Sequence, residues 1–169
     1  MDQSSFYGVV SAINFTLLGL WWVAVKDRAE RIGETAASRR VAYLVSLQFV
    51  ILGTVSLLAQ VAPDIPLVWR SAFAVAGLTG AVGVALLARD LGATTEARVA
   101  PALFLLIGVP IYLLVIAVAA FPEAFTGAGF RPIQAEATLV TLLVFLGVQE
   151  AWVVSMTPPK GSAAAPVVE

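Results

Sequence analysis

Five long apolar runs, nearly free of charge, set the limits on what this 169-residue chain can become. They cover residues 6–25, 41–62, 71–88, 99–122 and 133–157. A helix needs about 20 mostly apolar residues to cross the roughly 30 Å hydrocarbon layer of a bilayer. The first four runs meet or approach that length without a charge. The rest of the composition agrees: 60% of the residues are hydrophobic and 12% charged, against about 25% charged in soluble domains. Too little polar surface remains to cover a soluble globule. The expected fold is an all-α integral membrane protein, a five-transmembrane-helix bundle formed by residues 1–157.

The fifth run needs argument, because it holds Glu136 and Glu150. Pro132 suits a helix start and Pro158-Pro159 a stop. The 25 residues between them would rise about 37 Å as a helix. An interfacial or re-entrant helix is the alternative, and the basic residues argue against it. Lys26, Arg28, Arg31, Arg39 and Arg40 follow the first run, Arg89 and Arg98 flank the loop after the third, and Lys160 follows the fifth. With five spans, eight of the ten basic residues share one side. Only Arg70 and Arg131 fall on the other. The positive-inside rule makes the basic side cytoplasmic, so the N-terminus is expected outside and the C-terminus inside, in a plasma or inner cell membrane.

The N-terminal Met-Asp-Gln-Ser-Ser lacks the basic region of a cleaved signal peptide, so the first run is expected to remain as a span. Trp21 and Trp22 sit just before Lys26, where interfacial aromatics anchor a helix; Trp69 and Tyr7 suit the opposite interface, and Tyr7 suits internal packing equally. Residues 158–169, rich in Pro and Ala, read as a disordered cytoplasmic tail.

Small residues in the third span, Ala72, Ala76 and Gly80, then Gly77 with Ala81, and Gly83, offer close helix packing, within the chain or between copies. Gly108 and Pro110 fall mid-way along the fourth span. Proline there removes a backbone hydrogen bond and predicts a kink.

Several chemistries are excluded by what the chain lacks. There is no cysteine and no histidine, which removes thiolate nucleophiles, Ser-His triads and the usual zinc and haem ligand sets. Asp2, Asp27, Asp64 and Asp90 all lie outside the apolar runs, no lysine lies mid-span for a Schiff base, and no Gly-rich phosphate loop is present. No catalytic residue, metal or cofactor is expected. A net charge of −1 gives no pull toward nucleic acid.

Function must then rest on polar groups inside the apolar runs, which are costly in lipid and therefore informative. Counting from the basic side at 1.5 Å per residue puts Glu150 about 10 Å deep and Gln48 about 12 Å deep. Gln149 points about 100° away from Glu150. Asn14 falls roughly 18 Å deep, with Ser11 one turn above it and Thr79, at about 15 Å, its nearest polar candidate by depth. Glu150 has no lysine or arginine in any span at its level, and an unpaired carboxylate in hydrocarbon is costly. Three readings are open: a neutral acid bonded to Gln48, a cation or proton site on a water-filled path, or a residue near the headgroups.

Glu136 lies fourteen residues before Glu150, on nearly the same helix face and about 21 Å away. An oligomer with the fifth span at its axis would carry an acidic ring at each end of an apolar throat. The plainer reading places Glu136 in a first helical turn, paired with Arg70 or Arg131. The expectation is a small homo-oligomeric channel or transport protein with Glu150, Gln48, Asn14, Glu136 and Gln149 on a cation or proton pathway. The alternatives are an accessory subunit bound to an unlike membrane subunit, and a protein that binds lipid or a small hydrophobic ligand.

Overall fold

The computed structural model describes residues 3–27, 36–62, 64–95, 99–127, 129 and 131–157. Of these, 94% are helical, which leaves sheet no part in the architecture. Five helices are long and apolar enough to span a membrane. They are α1 (Gln3–Asp27), α2 (Ala36–Val61), α3 (Pro66–Thr94), α4 (Val99–Ala120) and α6 (Pro132–Met156), with a short α5 (Pro122–Gly127) between the last two. Each span runs close to the apolar stretch that encodes it, and most extend beyond it. Proline opens α3 and α6, where its missing N–H costs nothing. The predicted tail, residues 158–169, lies outside the described residues, as do Arg28, Arg31 and Arg98.

Consecutive spans run antiparallel, and side-chain bonds fasten both ends of the bundle. At the basic end, the Arg40 guanidinium forks onto the Asp90 carboxylate, joining the start of α2 to the end of α3. The second arm of the fork, Nη2 to Oδ1, measures 2.7 Å. Beside it, the Trp21 indole N–H donates to the Ala42 carbonyl at 3.0 Å, joining the end of α1 to the start of α2. At the opposite end, Arg70 donates to the Ala119 and Ala120 carbonyls at 2.8 and 3.0 Å. These are carbonyls at the C-terminus of α4, which a cation suits. There too the Tyr7 hydroxyl donates to the Ile133 carbonyl at 2.9 Å, tying α1 to α6.

Several aromatic and polar expectations change. Trp21 is buried in the bundle while Trp22 faces outward. Trp69 and Tyr7 are also buried and meet Phe73 edge-on, with ring centroids 6.3 and 6.1 Å away. Their apolar bodies fill the core at this end. Asp90 is part of α3, not of a loop. The helix runs one and a half turns past the apolar stretch, and Arg40 partners the buried carboxylate.

The small residues of α3 meet α4 within the chain. A Cβ on Gly77 would fall 2.6 Å from Ile116 Cγ1, and one on Gly80 would fall 2.1 Å from the Tyr112 ring. Ala72 and Ala76 are half-buried, Ala81 is buried, and Gly83 turns toward Leu47 of α2. In α4 the backbone widens into a π-helical turn over Phe104–Gly108, just before Pro110. Pro110 has no N–H to continue the ladder, and a π turn is one way to absorb that defect. Gly108 lets this turn sit against Val84 and Leu146, where a Cβ would meet both within 3 Å.

Candidate functional site

The inward face of α6 carries Glu136, Val140, Leu143, Leu146, Gly147 and Glu150. The fourteen-residue spacing thus does put both carboxyls on one face, about 21 Å apart along the axis. That face is turned into the chain's own bundle. Glu136 and Glu150 each have 0% exposure. Leu142, Phe145, Trp152 and Met156 form the outward ridge of the same helix. A ring of acids around an oligomer axis would need these carboxyls to face a neighbouring copy, and a single chain already encloses them.

Glu150 belongs to an inner layer with Gln48 of α2 and Tyr112 of α4. The Tyr112 hydroxyl donates to Gln48 Oε1 at 2.7 Å. Gln48 reaches α6 at Gly147, whose missing side chain makes room: a Cβ there would lie 3.1 Å from Gln48 Cγ. Gly147 is one turn from Glu150 on the same buried face of the helix. Glu150 does not hydrogen-bond directly to Gln48. Both of its oxygens, and Gln48 Nε2, are buried without a partner.

Glu136 lies one turn from Ile133, whose carbonyl takes the Tyr7 hydroxyl, and so forms an outer layer with Tyr7 of α1. It pairs with neither arginine suggested for it. Arg70 turns to the α4 carbonyls, and both Glu136 oxygens are buried without a partner.

Between the layers stand Asn14 and Ser11 of α1 and Ser56 of α2, all buried. Asn14 Nδ2 donates to the Val10 carbonyl at 2.9 Å, while Asn14 Oδ1 and Ser56 Oγ have no partner. Asn14 packs at Gly53 of α2. Thr79 is not its neighbour, since that side chain faces out of the bundle. Gln149 is half-buried and lies beside the file, not in it.

Along the helices, Gly53 is about 7.5 Å from Gln48, Ser11 about 4.5 Å from Asn14, and Tyr7 about 6 Å from Ser11. Polar residues therefore recur at several levels along the bundle between the two acids. Among the described residues, seven buried side-chain polar atoms lack a partner, and all seven belong to this file. Buried polar groups are rarely left unpaired in folded proteins, so their concentration here makes this the candidate site.

Tyr112, Tyr7 and Ser56 are the members that depth counting overlooked. A count from helix starts would have found Tyr112: it lies thirteen residues into α4, and Gln48 twelve into α2. Comparison with protein-family models, curated proteins and solved structures finds no match to this chain, so the reading rests on the geometry alone.

Proposed function

We propose that this protein is a small membrane transport protein that moves protons or small cations through the interior of its own five-span bundle. The basic end, carrying Lys26, Arg39, Arg40 and Arg89, faces the cytoplasm on this reading. One observation carries the proposal: two fully buried carboxyls without ionic partners stand at opposite ends of one helix face, and unpartnered polar atoms of Gln48, Asn14 and Ser56 are buried in the same bundle. Intramembrane acids are rare and mark proton relays and ion paths. A purely structural bundle would gain by replacing such groups with apolar ones. With the path inside the chain, an oligomer would hold one path per copy and not a shared axial pore.

The test is flux across liposomes containing the purified protein, with wild type compared to Glu150→Gln. Wild type should dissipate an imposed proton or cation gradient. Glu150→Gln should slow it by about a hundredfold, the scale on which positioned acid–base groups speed proton transfer. Wild-type protein that is folded and inserted, yet impermeable, refutes the proposal.

A further inference from the structure

From the hydrogen-bond inventory of the two acid layers we infer that the species carried is the proton and not a metal cation, with Tyr112 and Tyr7 as the positioning residues of Glu150 and Glu136. The inference rests on the transport reading above and narrows its substrate.

Each tyrosine has a single hydroxyl hydrogen, and in both layers it is committed to a carbonyl. Tyr112 donates to Gln48 Oε1, and Tyr7 donates to the Ile133 carbonyl. What each tyrosine still offers is an oxygen lone pair. A protonated carboxyl can donate to that lone pair, whereas an ionised carboxylate finds no hydrogen there. The same arrangement occurs at both ends of α6, on different helices and with different carbonyls. Neither acid makes that bond in the structure, where both oxygens of each are without a partner; on this inference each closes on its tyrosine when it bears a proton.

The inner layer also provides for the state that follows. When the Glu150 proton leaves to water, its bonding electron pair remains on the carboxylate. Gln48 has its oxygen engaged by Tyr112, so its Nε2 and two hydrogens stand buried without an acceptor. They are the donors that an ionised Glu150 would draw on, directly or through one bridging water.

A metal cation meets the opposite situation. Stripping its hydration shell requires a cage of replacement oxygens. Among the described residues, the inner layer has one carboxyl, an amide oxygen already engaged, one phenol and an amide N–H2 group. The outer layer has one carboxyl, one phenol and a carbonyl already engaged. Neither set surrounds a cation, and the polar group that Gln48 leaves without a partner is an N–H2, not an oxygen. Between them, Val140 and Leu143 of α6 and Leu52 and Val55 of α2 are buried to 3% exposure or less. A proton needs only a thread of water past such side chains, while a cation needs room for its shell.

Two measurements on the full-length protein in liposomes test this. The first compares proton flux with sodium and potassium flux. Proton flux should be present and unaffected by exchanging sodium for potassium, and flux of either metal should match that of protein-free vesicles. The second is infrared difference spectroscopy of the carboxylic C=O stretch. Two protonated-acid bands should be present, one lost in Glu150→Gln and the other in Glu136→Gln. Tyr112→Phe, which keeps the ring and removes the lone pair, should shift the Glu150 band alone and slow proton flux about tenfold or more. A fold defect would not move one band selectively. Sodium or potassium flux overturns the proton assignment and leaves transport standing. Absence of both acid bands overturns the proton-bearing state. Absence of flux for every ion overturns the transport reading and the assignment with it.

Discussion

Replacing Gly80 with alanine should disturb the inner layer from a distance, and the size of the effect can be worked from the packing. A Cβ at Gly80 would fall 2.1 Å from the Tyr112 ring, where ordinary contact begins at 3.4 Å. The ring must therefore retreat by about 1.3 Å, or the α3–α4 pair must open by a similar amount, because close-packed interiors have no slack to absorb it. Overpacking of this kind costs about 1–3 kcal/mol. The Tyr112–Gln48 bond is 2.7 Å long. A retreat of that size along its axis breaks it, and leaving the buried Gln48 oxygen unpaired costs about 1–3 kcal/mol more.

Two other glycines supply controls. A Cβ on Gly83 would meet only Leu47 Cδ2 at 3.8 Å, and one on Gly19 would meet nothing within 4 Å. Without a steric charge, alanine should gain the helix-propensity difference of about 1 kcal/mol at both positions. Reversible unfolding in mixed detergent micelles, followed by circular dichroism, reads all three variants. After the same propensity gain is deducted, Gly80→Ala should fall below wild type by about 1–5 kcal/mol, and Gly83→Ala and Gly19→Ala should equal or exceed it. Gly80→Ala matching Gly83→Ala would refute both the tight α3–α4 contact and the dependence of Tyr112 on it.

The end fastenings and the file give further expectations. Arg40→Met should lower stability, since it leaves the buried Asp90 carboxylate only the longer contact to Arg89 at 3.6 Å, while the double variant Arg40→Met with Asp90→Leu should recover most of that loss in the same unfolding assay. Trp21→Phe should cost about 1 kcal/mol through the lost bond to Ala42, whereas Trp22→Phe should stay within about 0.5 kcal/mol of wild type. In the liposome assay Thr79→Val should leave flux unchanged, because Thr79 faces out of the bundle, and Asn14→Leu should slow it.

The five spans were legible because lipid leaves few options: uncharged runs of about 20 residues set helix length directly. The shared face of Glu136 and Glu150 was legible too, since 3.6 residues per turn fixes relative direction within one helix. Which way that face points was not. A bundle-facing and an axis-facing α6 have the same periodicity, and only packing against α2 and α4 separates them. Partners across helices were least legible. Depth counted from the last charge placed Thr79 with Asn14, but depth carries no azimuth, and Thr79 is on the outer face of α3. Asp90 was misread because a polar helix end looks like a loop when hydropathy alone marks the boundary. Its membership in α3 depends on Arg40, fifty residues away in the chain.

The same distribution of bonds explains how the fold tolerates its unpartnered interior. Each unsatisfied buried polar group costs about 1–3 kcal/mol, and the file holds seven such atoms. They lie between two fastened ends, Arg40–Asp90 with Trp21–Ala42 at one and Arg70–Ala119/Ala120 with Tyr7–Ile133 at the other. The part of the cost borne by Gln48, Asn14 and Ser56 therefore falls inside the bundle, where apolar side chains such as Phe49, Leu52, Leu143 and Val84 are buried to 1%. Water entering the file would relieve that cost without loosening either end. A route that wets locally while its ends stay fixed suits a proton, which travels by exchange of hydrogen bonds. It suits a solvated cation poorly, because passage of the whole shell would require the walls themselves to part.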